Sequence, residues 1–251
     1  MSEVLTTQQA LRYNRQISLA GFDLDKQEKL LNSRVLLFGV GGLGCAAAQY
    51  LVAAGVGNLI LVDDDLVDYS NLQRQVLHGE HDVGRAKCDS AEQSLKALNS
   101  ECNIQTIKQR LEQNELPSIL ATTDVIVDCT DNLATRDQLN RASVTHNIPL
   151  ISGAAIRMEG QVASFVPSAE NACYHCLSVL FAEQQLSCVE AGIMSPVVGI
   201  IGSMQALETI KVLADFAQPL VNTLMMFDGN TSQWQRFKIP KNKKCSVCSC
   251  R

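Results

Sequence analysis

Gly39-Val40-Gly41-Gly42-Leu43-Gly44 reads G-x-G-x-x-G between an apolar run, residues 35–38, and an Ala-rich stretch of helical composition, residues 43–54. Glycines let a backbone approach a phosphate chain, and the first turn of a following helix offers N–H groups with no partner inside the helix. Asp63 closes the next apolar run roughly 20 residues further on, where a carboxylate accepts hydrogen bonds from ribose hydroxyls. NAD, FAD, S-adenosylmethionine and ATP all suit such a loop, so other residues must decide among them. Arg74 follows the second apolar run and Lys87 opens the next helical stretch. Two cations near a glycine loop suit a triphosphate, because charge grows on the phosphates as pyrophosphate leaves. Asp131 and Asn132 follow a further apolar run, 125–127, at the end of a strand where ligands bind in open α/β sheets, and a carboxylate there suits Mg²⁺. Taken singly, Arg74 and Lys87 also read as surface charges, and Asp131 as a helix cap.

Cys173-Tyr174-His175-Cys176 and Cys245-Ser246-Val247-Cys248 are two CxxC pairs. Each presents two thiolates to one ion, and four thiolates suit a closed, structural, tetrahedral Zn²⁺ that ties the tail to the body. The competing readings are a redox dithiol or unrelated thiols. A thioredoxin-type motif sits at a helix start beside a β-α-β unit, and neither pair is expected there. Cys250 competes with Cys248 as a ligand, and His175 reads as a flanking side chain.

The elements that must carry these residues alternate. Strands are expected at 35–38, 59–62, 104–107, 124–128 and 149–152, with helices at 11–19, 43–54, 84–98 and 135–145. Alternation of this kind implies a mostly parallel Rossmann-like sheet with helices on both faces. Beyond Gly153 a strand is expected at 161–166, an irregular cysteine-rich stretch at 170–190 and a long apolar helix at 196–213. Residues 224–227 and 233–239 pair across Asp228-Gly229-Asn230 as an antiparallel hairpin. No charge falls between Val35 and Val62, a length able to span a bilayer, but the glycines and the two apolar tetrads fit a buried β-α-β unit.

Composition narrows the class. The 251 residues are 46% hydrophobic and 19% charged, ordinary for a globular protein with a sizeable core. A net charge of -5 leaves no basic excess for nucleic acid or an anionic membrane. Residues 1–15 do not read as a secretory signal, so the ten cysteines are expected as reduced thiols in a cytoplasmic protein, some of them metal-bound.

Together these residues resemble the MoeB/ThiF branch of the ubiquitin-activating enzyme superfamily. The matching strings are Arg12-Tyr13-Asn14-Arg15-Gln16, the glycine loop, Asp63-Asp64-Asp65, residues 70–75, Lys87, Cys129-Thr130-Asp131-Asn132 and both cysteine pairs. Residues 153–161 and 188–192 look more like the molybdopterin side of the branch than the thiamine side. The resemblance implies one domain over 1–251, with a nucleotide-binding half at about 34–152 and a carrier-binding, zinc-stapled half at about 153–251. It implies adenylation of a small ubiquitin-like sulfur carrier that ends in paired glycines, MoaD-like, by a cytoplasmic homodimer, with Mg²⁺ accompanying ATP. Nucleotide contacts are implied at Gly39, Gly41, Gly42, Gly44, Asp63, Asp65, Ser70, Asn71, Leu72, Gln73, Arg74, Lys87, Asp131 and Asn132. Catalytic roles are implied for Arg15, Arg74, Lys87 and Asp131, with Arg15 reaching the other subunit's site. One zinc per chain is implied at Cys173, Cys176, Cys245 and Cys248. The chain stops soon after the second pair, so a separate persulfide donor is expected to supply sulfur. Cys188 is expected to be an exposed, dispensable thiol.

Two other classes share some of these signals. An NAD-dependent oxidoreductase shares the glycine loop and Asp63 but leaves the cysteine pairs and Arg74 with Lys87 unexplained. A zinc-stapled scaffold that binds a ubiquitin-like partner has no use for phosphate-neutralising cations. The same activation on a thiamine-pathway carrier is the nearest alternative.

Overall fold

Apolar tetrads with no polar alternation fit only strands covered on both faces, and they form the centre of one eight-stranded sheet. The computed structural model describes residues 5–181 and 191–249. Five strands run parallel in the order β3-β2-β1-β4-β5: β1 (Arg34–Phe38), β2 (Asn58–Val62), β3 (Asn103–Ile107), β4 (Val125–Asp128) and β5 (Leu150–Ile156). The sheet continues antiparallel through β6 (Glu159–Phe165), β7 (Thr223–Asp228) and β8 (Gln233–Lys238).

Strand side chains alternate between two cores. Val35, Leu37, Leu59, Leu61, Val127 and Ile151 face α3 (Gly42–Ala53), α4 (Lys87–Leu98) and α8 (Ser195–Ala214). Leu36, Phe38, Ile60, Ile126 and Leu150 face α5 (Leu116–Leu120), α6 (Leu133–His146) and the cysteine-rich segment with α7 (Tyr174–Ser178). The uncharged stretch from Val35 to Val62 is β1-α3-β2, as expected. Helix α8 has 20 residues with a mean hydropathy of 1.4, long and apolar enough to cross a membrane. Here it lies across β4, β5 and β6 and packs against α3, with Val197, Val198, Ile201 and Ala206 buried.

Several expectations shift. Helix α4 begins at Lys87 rather than Gly84, because Gly84 has a φ of +87° and Ala86 is held in a bridge to Leu66. Strand β5 runs past Ser152 to Ile156 and turns through Arg157, at φ +56°, into β6, so the parallel sheet changes to antiparallel within one hairpin. Helix α2 (Asp23–Asn32) was not expected: it is polar, lacks a side-chain N-cap and buries only Gln27 and Leu30. Short α5 and α7 carry too few residues for a periodic signal.

The α3–α8 contact depends on Gly202. A Cβ there would lie 2.2 Å from the Leu43 carbonyl oxygen and 2.9 Å from Ala46 Cβ, whereas one on Gly199 would meet nothing within 4 Å. Gly202→Ala is therefore expected to destabilise the fold by about 1–3 kcal/mol. Gly199→Ala, in the same helix, is expected to stabilise it by up to roughly 1 kcal/mol. Urea unfolding of both variants checks the contrast, and equal midpoints would contradict the packing.

Candidate active site

The winding of the sheet reverses between β1 and β4, and the C-terminal ends of β1, β2 and β4 open there into a cleft of ≈ 770 Å³. Backbone packing shapes its floor. Gly39 has φ +86°, and a Cβ on it would stand 2.8 Å from the Cys129 carbonyl oxygen. A Cβ on Gly44 would fall 1.8 Å from the Gly39 oxygen, and one on Gly42 2.9 Å from Val198. Gly41 is the N-cap of α3 and supplies no side-chain bond, so the first N–H groups of α3 face the cleft uncapped.

Gly39, Gly41, Gly42, Asp63, Asp65, Asn71, Arg74, Lys87, Asp131 and Asn132 all line this cleft. Gly44 sits behind it as a packing glycine. Ser70, Leu72 and Gln73 are not among its lining residues; Ser70 and Asn71 belong to a 3-10 turn capped by the Asp68 carboxylate.

The carboxylate of Asp63 accepts the Val40 N–H (2.7 Å) and the Asp65 N–H (2.9 Å). Burial raises its pKa, opposed by the Lys87 charge and the two N–H groups. Two committed lone pairs leave room for ribose hydroxyls on the others. Lys87 is nearly buried and pairs with Asp65 at 2.7 Å; its N–H also donates to the Asp65 carbonyl (3.0 Å). Arg74 donates to the Ser70 carbonyl at 3.1 Å, and Arg110 pairs with Asp64 at the mouth (3.0 Å). Ligand oxygens of Asp63, Asp64 and Asp65 lie within 4.8 Å of one another, but each carboxylate already has a protein partner. Asp131 is different. The N-cap of α6 is Asn132, whose side chain takes the Thr135 N–H (2.9 Å), so Asp131 is not the cap. Among the described residues its exposed carboxylate makes no hydrogen bond or ion pair, and it is a hard oxygen donor of the type magnesium prefers.

Two positioning residues had no sequence signal. Arg136, buried in α6, donates to the carbonyls of Thr130 and Gly153 (3.0 Å to the latter) and stands 4.0 Å from the buried Asp128 carboxylate. Gln205 of α8 donates to the Asp128 carbonyl at 2.7 Å and accepts from the Cys129 thiol at 3.5 Å. A polar residue facing a core reads from sequence as an irregularity in the pattern; only the fold shows that both brace the strand end that presents Asp131.

Arg15 is not brought to the cleft of its own chain. It is exposed on α1 (Thr7–Ile17), which is fixed by Gln16 donating to the Ala54 carbonyl (2.7 Å) at the far end of α3. Twelve residues of α3 put that end about 18 Å from the glycine loop.

The four paired cysteines converge on the other face. Their sulfur atoms lie within 4.8 Å of one another, with Cys173–Cys176 at 3.9 Å, Cys173–Cys245 at 3.7 Å and Cys176–Cys248 at 3.6 Å. Bonds of about 2.3 Å to one tetrahedral zinc place sulfurs roughly 3.8 Å apart, which these distances fit; a disulfide needs about 2.05 Å. All four are buried, and the Val247 N–H donates to Cys245 Sγ (3.4 Å). The expectation that neither pair opens a helix is corrected: Cys173 is the N-cap of α7. The preceding strand is antiparallel, however, and the pair meets a second pair rather than solvent. His175 stays outside the sulfur cluster and meets Ser246 (3.3 Å). Cys188 and Cys250 lie outside the described residues.

Comparison with known proteins agrees with this geometry. The ThiF family matches residues 13–247. The chain is 50% identical over 244 residues to molybdopterin-synthase adenylyltransferase of Escherichia coli, covering 97% of this chain and 98% of that one. It is 44% identical over 238 residues to the sulfur carrier protein ThiS adenylyltransferase of the same organism, covering 95% and 94%. Its fold is similar to that of E. coli MccB crystallised with ATP, with a TM-score of 0.82 at 24% identity over 95% of this chain and 74% of that one. On this evidence the chain belongs to the ThiF family and is an adenylyltransferase.

Proposed function

We propose that this protein uses ATP to adenylate the C-terminal glycine carboxylate of a small ubiquitin-like sulfur carrier in molybdopterin biosynthesis. The observation that carries the reading is the 50% identity, over nearly the full length of both chains, to a molybdopterin-synthase adenylyltransferase. The 44% identical ThiS relative supports the same chemistry on a thiamine-pathway carrier as the alternative. Offering each purified carrier with ATP and measuring pyrophosphate release decides between them; release with neither contradicts both.

In this reading a carrier carboxylate oxygen attacks the α-phosphorus of ATP, the α–β phosphoanhydride bond breaks, pyrophosphate leaves, and an acyl-adenylate remains. The uncapped N–H groups of α3 and the charges of Arg74 and Lys87 offset the charge that develops on the phosphates. Asp63 holds the ribose. Asp131 would hold Mg²⁺ that arrives with ATP, an ion that supplies further charge neutralisation. Residues of about 34–152 do this work, and about 153–251 receive the carrier. No protein nucleophile is needed. Burial pushes the Cys45 and Cys88 thiols up to about 12, and it raises Cys129, at the cleft floor, well above its usual range. These thiols are poor nucleophiles, which fits adenylation without a protein nucleophile; the sulfur is read as coming from a separate persulfide-bearing protein. An NAD-dependent reaction would leave the cations and Asp131 without a task.

Lys87→Ala and Asp131→Ala are each expected to lower carrier-dependent pyrophosphate exchange by on the order of 10²–10³. Both should fold, because Asp65, the ion-pair partner left by Lys87, is 64% exposed, Asp63 keeps its two backbone N–H bonds, and Asp131 is itself exposed. Near-normal exchange with an unchanged circular dichroism spectrum contradicts the assigned role.

The sulfur cluster is read as one structural zinc per chain, and the proposed working form as a cytoplasmic homodimer. Metal analysis is expected to find zinc lost in Cys245→Ala and Cys248→Ala and kept in Cys250→Ala. Unchanged zinc in the first two sinks the assignment.

Arg15 is read as neutralising phosphate charge in the cleft of a second copy, since its own lies an α3 length away. Arg15→Ala is expected to be folded, dimeric and nearly inactive. Mixed with Asp131→Ala under complete subunit exchange, it should recover about a quarter of wild-type activity, since half of the dimers then hold one intact site. A mixture that stays dead after verified exchange removes Arg15 from the site.

A further inference from the structure

Val40 is the one residue of Gly39-Val40-Gly41-Gly42 with a side chain, and its peptide must be aimed although the flanking glycines leave the backbone loose. Its N–H is held by Asp63. Its carbonyl is held by His78, whose Nε2 stands 3.1 Å away. A carbonyl only accepts, so Nε2 carries the hydrogen. His78 Nδ1 lies 2.8 Å from Ser90 Oγ, and the Ser90 hydroxyl also hydrogen-bonds the Asp82 carboxylate, which only accepts, so the imidazole and the carboxylate share one hydroxyl.

His78 and Ser90 are both buried, and each belongs to a segment that carries a cleft cation. The His78 N–H donates to the Gln75 carbonyl (3.0 Å), directly after Arg74. Ser90 lies one helical turn beyond Lys87 on α4, and its N–H donates to the Ala86 carbonyl (3.1 Å). The imidazole thus joins three segments: the glycine loop, the turn of Arg74 and the N-terminus of α4. The charged or titratable groups around it are Lys87 of α4, Asp63 after β2, Asp82 of the neighbouring 3-10 turn and Cys45 of α3, whose sulfur lies 3.8 Å from Nε2. Burial, joined by the Lys87 charge, lowers its pKa, against the Val40 bond and the two carboxylates.

We propose that His78 is a positioning residue of the nucleotide site. Its Nε2–H clamps the Val40 carbonyl to Ser90, so that the loop N–H groups, Arg74 and Lys87 keep one geometry toward the phosphates of ATP. The proposal rests on the reading that ATP occupies this cleft.

The test is calorimetric titration of the full chain with ATP and magnesium. In His78→Gln the side-chain amide reaches the place of Nε2 and still donates to Val40; in His78→Asn it reaches only the place of Nδ1. His78→Asn is expected to weaken ATP binding about tenfold and His78→Gln by no more than about threefold, as one hydrogen bond lost or kept. Nitrogen-15 NMR of the wild type should show Nε2 protonated, and a bare Nε2 overturns the proposal. An affinity of His78→Asn within about twofold of wild type overturns the proposal, as does His78→Gln weakened equally. If His78→Asn does not fold, Ser90→Ala carries the test: it frees the ring and should weaken ATP about threefold, and wild-type affinity overturns the proposal. A wild-type chain that binds no ATP overturns the reading of the cleft as well, which separates the two failures.

Discussion

The site depends on a contact between backbones. At the ends of β1 and β4 the chain leaves the sheet in opposite directions, and Gly39 passes the Cys129 carbonyl so closely that no side chain fits. Gly44 then lies against Gly39 itself. These approaches set the angle at which α3 leaves β1, and so turn its uncapped N-terminus toward the same cleft that receives Asp131 from the end of β4. A side chain at either glycine would separate the two strand ends and the two halves of the site with them.

Charge distribution in the cleft follows from which groups already have partners. Asp63 is occupied by backbone N–H groups, Asp65 by Lys87 and Asp64 by Arg110. Asp128, fully buried, takes the Ser152 hydroxyl (3.0 Å) and the Thr130 N–H (3.0 Å) and faces Arg136. A buried carboxylate in a low-dielectric core needs such compensation. Asp131, a few residues along, is exposed and makes no hydrogen bond or ion pair among the described residues, although its charge is felt by Arg136. An exposed carboxylate beside satisfied neighbours is the one to which the proposed function gives the metal that accompanies ATP.

Much of this was legible from the residues. The glycine loop, Asp63 and the uncharged tetrads gave the parallel half of the sheet, because a strand buried on both faces tolerates no polar alternation. The CxxC pairs gave the sulfur cluster because ligand spacing is local even when the pairs are far apart in the chain. What sequence reasoning missed is non-local. Arg136 and Gln205 reach the strand ends across helix–sheet contacts, and no periodic pattern marks them. The early start assigned to α4 followed composition, where the φ of Gly84 decided. Asp131 was open to reading as a cap until Asn132 was seen to fill that position.

The central claim is that a carrier carboxylate attacks the α-phosphorus of ATP in this cleft. A carrier labelled with oxygen-18 in its C-terminal carboxylate, mixed with enzyme and ATP and trapped with hydroxylamine, tests it directly. Hydroxylamine takes the acyl carbon, and the bridging oxygen departs with the nucleotide. Mass spectrometry should then find one oxygen-18 in AMP and none in inorganic phosphate. Unlabelled AMP, or ADP with label in phosphate, would contradict the account.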